Sequence, residues 1–143
     1  MRLGFAGLLL VFAANLWAED WSRWRGPRGD GTWHAPKLSE KWPEDGLKRL
    51  WKRSVSPGFS GVSVAGGGVF LMDRPDKEKH GERERVVCFD ADSGETLWTY
   101  SYEAEYGDLD YGKGPRASVT VRAGKVYGLG AVGHAFCLDA KTG

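Results

Sequence analysis

Val62-Ser63-Val64-Ala65-Gly66-Gly67-Gly68-Val69-Phe70 returns 57 residues later, without a gap, as Val119-Thr120-Val121-Arg122-Ala123-Gly124-Lys125-Val126-Tyr127. Each copy reads as a short strand rich in β-branched residues, a glycine-bearing turn and a second strand, which is a hairpin. Two copies of one supersecondary unit in a chain of 143 residues point to a repeat architecture.

A second pair extends the unit. Val87-Cys88-Phe89-Asp90-Ala91-Asp92-Ser93-Gly94 matches Phe136-Cys137-Leu138-Asp139-Ala140-Lys141-Thr142-Gly143 at a spacing of 49. The difference of eight residues is a loop insertion in the first copy, within the charged stretch Asp73 to Arg85, where insertions are tolerated. Leu50-Trp51 and Leu97-Trp98 form a third pair, 47 apart. Glu95-Thr96-Leu97-Trp98 then reads as the outermost of four antiparallel strands. Leu50-Trp51 reads as the outer strand of a preceding unit. Four strands per repeat of about 40–50 residues is the signature of a propeller blade. The expected fold is all-β, an incomplete β-propeller of roughly one and three-quarter blades.

At this point the residues resemble a family. Asp90-Ala91-Asp92-Ser93-Gly94-Glu95-Thr96-Leu97-Trp98 is similar to the D-A-x-[ST]-G-x-x-x-W signature of pyrroloquinoline-quinone (PQQ)-like repeats. Trp21-Ser22-Arg23-Trp24-Arg25-Gly26-Pro27, with Gly29-Asp30-Gly31, resembles the opening of exported members of that family, and Gly114-Pro115-Arg116-Ala117-Ser118 the start of their next blade. The resemblance covers roughly residues 20–143 and implies the architecture more specifically than any activity. In the family the strand at Leu50-Trp51 would complete the last blade, so the sequence reads as a fragment of a longer protein.

Residues 1–18 differ in kind. Arg2 precedes an almost continuous apolar run from Leu3 to Ala14, and Leu16-Trp17-Ala18 leads into Glu19-Asp20. That order describes a secretory signal cleaved after Ala18. The run is shorter than the roughly 20 residues of a bilayer span, so no membrane span is expected after cleavage. The expected organisation is a signal at 1–18, an extended segment at 19–49 and the repeats at 50–143. The protein is expected in the periplasm or outside the cell. With 20 Lys and Arg against 19 Asp and Glu and no basic face, nucleic acid is not an expected partner.

No catalytic residue and no metal ligand set is assigned. Gly128-Leu129-Gly130-Ala131-Val132-Gly133 matches G-x-G-x-x-G, but a strand follows almost at once where a dinucleotide site needs a helix. It reads as the turn between strands two and three of the second blade. Asp90 and Asp139 are expected to accept turn N–H groups, with Gly94 and Gly143 at positive φ. Cys88 and Cys137 occupy equivalent strands of successive blades, too far apart for a disulfide, and are expected as buried free thiols. His34, His80 and His134 lack metal-ligand spacing. The charged run from Asp73 to Arg85 reads as a solvated hairpin tip. Trp21, Trp24, Trp33 and Trp42 are expected to pack on the core, with Arg23 and Arg25 alternating along an extended segment.

Two features carry alternatives. The stretch Tyr100 to Gly114 holds Tyr100, Tyr102, Tyr106 and Tyr111 beside Glu103, Glu105, Asp108 and Asp110. It is read first as a self-packed loop and second as a surface that stacks on sugars or holds a cation. Arg116 is expected to begin an inner strand lining the channel, facing a carboxylated ligand or pairing with Asp108 or Asp110. Three functions follow. The first is a non-catalytic exported scaffold binding a protein or small ligand on a propeller face. The second is a fragment of a PQQ-dependent dehydrogenase, for which the resemblance implies PQQ and Ca²⁺. The third is a carbohydrate-binding module.

Overall fold

The structure, a computed structural model, describes residues 19–34 and 39–143; the expected signal at 1–18 lies outside them. It is all-β apart from one helical turn. β1 (Ser63–Ala65), β2 (Gly68–Asp73), β3 (Arg83–Asp90) and β4 (Thr96–Glu103) form a four-stranded antiparallel sheet in that order. β5 (Thr120–Arg122), β6 (Lys125–Leu129) and β7 (Ala135–Asp139) form a three-stranded one. Neither sheet closes on itself.

The repeat is built into the register. Ser63 lies opposite Phe70 and Ala65 opposite Gly68, as Thr120 lies opposite Tyr127 and Arg122 opposite Lys125. Val69 faces Phe89 as Val126 faces Leu138. Both inner hairpins turn through two residues at positive φ, Gly66 and Gly67 in the first and Ala123 and Gly124 in the second. That geometry matches the twist of paired strands.

Because strand side chains alternate, each sheet has two distinct faces. Across the first sheet Ser63, Phe70, Cys88 and Trp98 stand in one row, followed by Met72, Val86 and Tyr100. This front face meets the second sheet's back, with Val119 and Val126 fully buried and Val121, Phe136 and Leu138 partly so. Ser63 Oγ donates to Val119 O at 2.6 Å across the join. The back of the first sheet, with Val87 and Phe89 buried, lies under the segment that carries Trp51 and Ser56. There Trp51 packs on Phe89 at 6.4 Å between ring centroids, and Ser56 N–H donates to Asp73 Oδ2 at 2.8 Å.

Three expectations are corrected. Leu50-Trp51 is not in a strand, because no strand among the described residues pairs with it. The run Asp73 to Arg85 is only in part a solvated tip. Its middle forms α1 (Lys77–His80), but its ends lengthen the β2–β3 ladder, where Arg85 grips the buried Asp73 with two hydrogen bonds of 2.9 and 2.6 Å. The segment from Arg23 to Gly31 is not extended. Gly26 N–H returns to Arg23 O and Gly31 N–H to Arg25 O, and Arg25 takes φ 61°. Trp24 and Trp42, each 71% exposed, and Trp33, 43% exposed, stand out from the core, while Trp21 packs its ring on Gly26.

Before that turn the chain clasps both sheets. Val64 N–H donates to Trp21 O at 2.9 Å, and its repeat counterpart Val121 donates to the next carbonyl, Ser22 O, at 2.8 Å. Asp20 Oδ2 accepts Gly66 N–H.

Candidate functional site: a buried carboxylate and two docked tryptophans

Glu84 stands in β3 on the same face as Val86 and Cys88 and has no exposed surface. A carboxylate there must find donors within the protein. Tyr102 Oη donates to its Oε2 and Tyr106 Oη to its Oε1 at 3.1 Å. From the other sheet, Ala131 N–H donates to both oxygens at 3.1 and 3.3 Å. A Cβ on Gly130 would collide with Glu84 Oε2 and Tyr102 Oη, so the approach depends on glycine. The His134 ring stacks on Tyr102 at 3.9 Å and 14°. The Arg74 guanidinium lies 5.9 Å from the centre of the Tyr106 ring. Burial first, and then the neighbouring Glu84 carboxylate, push the Tyr102 and Tyr106 phenols far above their ordinary range. A carboxylate sealed from solvent, with both oxygens engaged, joins the sheets.

The repeated turns make a second join. Asp90 Oδ1 accepts from Asp92 N–H, Ser93 N–H and Ser93 Oγ, as Asp139 Oδ1 accepts from Lys141 N–H, Thr142 N–H and Thr142 Oγ1. Gly94 and Gly143 take φ of 69° and 79°. These turn expectations hold. Each turn also receives a tryptophan: Trp51 Nε1 donates to Ala91 O at 2.9 Å and Trp98 Nε1 to Ala140 O at 3.1 Å. A Cβ on Gly94 would lie 2.6 Å from the Trp51 ring, and on Gly143 3.0 Å from Trp98.

Other candidates are redistributed. Tyr102 and Tyr106 are buried on Glu84, and Tyr100 and Tyr102 belong to β4. Of the four tyrosines of the stretch, Tyr111, at positive φ, is the exposed one. Arg116 precedes β5 and is not in a strand; its Nη2 donates to the backbone carbonyls of Asp110 and Gly112, and it pairs with neither carboxylate. Both cysteines are free, but only Cys88 is buried. Cys137 is exposed because nothing among the described residues covers the front of the second sheet. Gly128 and Leu129 end β6, and Gly130 to Gly133 form the β6–β7 turn, closed by Gly130 N–H on His134 O at 2.8 Å.

At the inner-turn end, a cleft of about 630 Å³ opens between the sheets. Phe70, Cys88, Leu97 and Val121 line it together with Asp20, Asp90, Arg122 and Lys141, so its charges balance. Among the described residues no group of three or more His, Cys, Asp or Glu is placed to hold a metal ion, and no helix is long and apolar enough to cross a membrane. Glu84 was legible in principle: period-two alternation puts it on the buried face with Val86 and Cys88. Its charged neighbours masked that signal. No family model matches the chain, and no curated protein matches it.

Proposed function

We propose that the two sheets are successive blades of an exported PQQ-like β-propeller that acts as a non-catalytic binding scaffold. The observation that carries this reading is the repeated join. The front of one sheet packs on the back of the next, and the tryptophan of each outer segment docks on the following Asp-Ala-x-[Ser/Thr]-Gly turn. A join between unlike faces is one that each further sheet repeats, which is how blades stack around an axis. The contact surface is the inner-turn end, where the cleft between the blades offers an apolar floor with Arg122 and Lys141 set against Asp20 and Asp90.

The dehydrogenase alternative requires residues for PQQ and Ca²⁺, and those present do not fit. The two fully buried carboxylates are committed, Asp73 to Arg85 and Glu84 to two phenols. Arg116 is engaged by loop carbonyls. The test is incubation with PQQ and Ca²⁺ followed by gel filtration. The expected result is protein eluting without quinone absorbance; co-elution overturns the non-catalytic reading.

A further inference from the structure

Residues 19–34 close on themselves. Glu19 stands at one end and holds the other: its carbonyl accepts Trp33 Nε1–H at 2.7 Å, and its carboxylate accepts His34 N–H at 3.0 Å and pairs with Arg28. Within the loop Arg23 donates to the carbonyls of Gly26 and Pro27, Asp30 Oδ1 accepts Thr32 N–H, and the Trp21 ring lies on Gly26. A short surface segment whose ends meet and whose own side chains pack it is an Ω-loop, a form that often carries function.

What fastens this loop to the sheets lies across their seam. Trp21 O accepts Val64 N–H from β1, Ser22 O accepts Val121 N–H from β5, and Asp20 Oδ2 accepts Gly66 N–H from the β1–β2 turn at 3.0 Å. Trp24 rests beside Gly61. The fastening residues are also cleft residues. Asp20, Ser22 and Gly66 line the space between the sheets, and that space reaches Cys88, which has no exposed surface.

We propose that residues 19–34 are a lid that staples β1 to β5 at the mouth of the cleft and governs access to its apolar floor. The ties through Glu19 make the loop one body. Its two backbone bonds to the sheets sit on successive carbonyls, so Val64 and Val121 are released in a single event. With the lid lifted, the seam widens at the inner-turn end, while Glu84 and Trp98 keep the sheets joined. An opening of this kind exposes little apolar surface and needs less free energy than parting the sheets. Its consequence for binding rests on the cleft reading above. The motion itself does not, and it is tested without a ligand.

Cys88 is the reporter. In a Cys137→Ser background it is the single thiol, and it reacts only when a reagent reaches it. Its alkylation at pH 8 is expected to be slow and to proceed through lid opening, at a rate that low urea barely changes. Trp21 lies directly opposite Val64, within disulfide reach. A disulfide made by Trp21→Cys with Val64→Cys is expected to slow Cys88 labelling about tenfold or more. Asp20→Ala frees the Gly66 N–H and is expected to speed it roughly three- to tenfold. Hydrogen exchange of the Val64 and Val121 amides should then rise by one common factor. Labelling that neither change moves, or that follows the urea dependence of global unfolding, overturns the lid and leaves the cleft and blade reading standing. Amides that respond by different factors overturn the single-body motion and with it the proposal. Loss of protection throughout both sheets of the unsubstituted chain sinks both readings.

Discussion

The Trp98 indole lies flat against Gly143, close enough that a Cβ there would stand 3.0 Å from the ring, while its N–H reaches Ala140 O at 3.1 Å. One side chain thus joins the outer strand of the first sheet to the turn that ends the second. Trp98→Phe keeps most of the packing and loses the hydrogen bond, and is expected to cost about 1 kcal/mol. Trp98→Ala removes the packing as well and is expected to cost about 3–5 kcal/mol. Urea denaturation followed by circular dichroism measures both; equal losses would mean that packing contributes nothing to the join.

Ala123 occupies φ 50° in the turn whose counterpart uses Gly66. A Cβ in the left-handed region costs roughly 1–2 kcal/mol, and Asn tolerates that region in two-residue hairpin turns. Ala123→Asn is expected to raise stability by about 1 kcal/mol and to leave the register unchanged. A lower denaturation midpoint would contradict the turn geometry.

Glu84 accepts only from donors, so Glu84→Gln turns an amide NH₂ toward phenol or backbone N–H groups. Hydrogen bonds to charged groups contribute about 1.5–3 kcal/mol, and the substitution is expected to cost about that much. Gly130→Ala places a methyl against the same carboxylate and phenol, with an overpacking cost of about 1–3 kcal/mol. In the double variant the two costs should add to less than their sum, because both disrupt one cluster. Strict additivity would separate Gly130 from the Glu84 contact.

Cys88 and Cys137 hold equivalent strand positions yet differ in reactivity. Burial, and then the nearby Asp90 charge, raise the Cys88 thiol to about 11, and the thiolate is the reactive form. At pH 8 in dilute solution a thiol reagent is expected to label Cys137 alone, and both residues once the chain is unfolded. Rapid native labelling of Cys88 would show that the front of the first sheet is open.

The turn carboxylates set an acid limit. The Ser93 N–H and hydroxyl hold Asp90 below its ordinary range; for Asp139, Lys141 N–H does so first and Lys125 second. A depressed folded value stabilises above the unfolded value, near pH 4, and that stabilisation is lost as pH falls through the folded value. Stability is therefore expected to decline from about pH 4 downward. Lys125→Ala should raise the Asp139 midpoint and leave Asp90 unmoved, as read by carboxyl NMR titration; a matching rise in both would contradict the assignment.

The spacings of 57 and 49 reappear as strand register, so the hairpins, the Asp-centred turns and the outer-strand placement of Trp98 were legible in the sequence. Repeats announce themselves because both copies obey one pattern. What was harder to read is what occurs once. Glu84 and the Asp73–Arg85 pair lie in the part of the ladder that β6 and β7 do not copy, and Glu84's donors come from 18 to 47 residues away. The outward Trp24 and the exposed Cys137 depend on what covers a face. Alternation along one strand says which residues share a side, but not whether that side has a neighbour.

The hold of Trp21 and Ser22 on Val64 and Val121 has a mechanical consequence. Successive carbonyls of one short segment grip the innermost strands of both sheets, so tension applied at Glu19 is shared between them from the first moment. Neither sheet can be peeled away by force from that end before the grip itself gives.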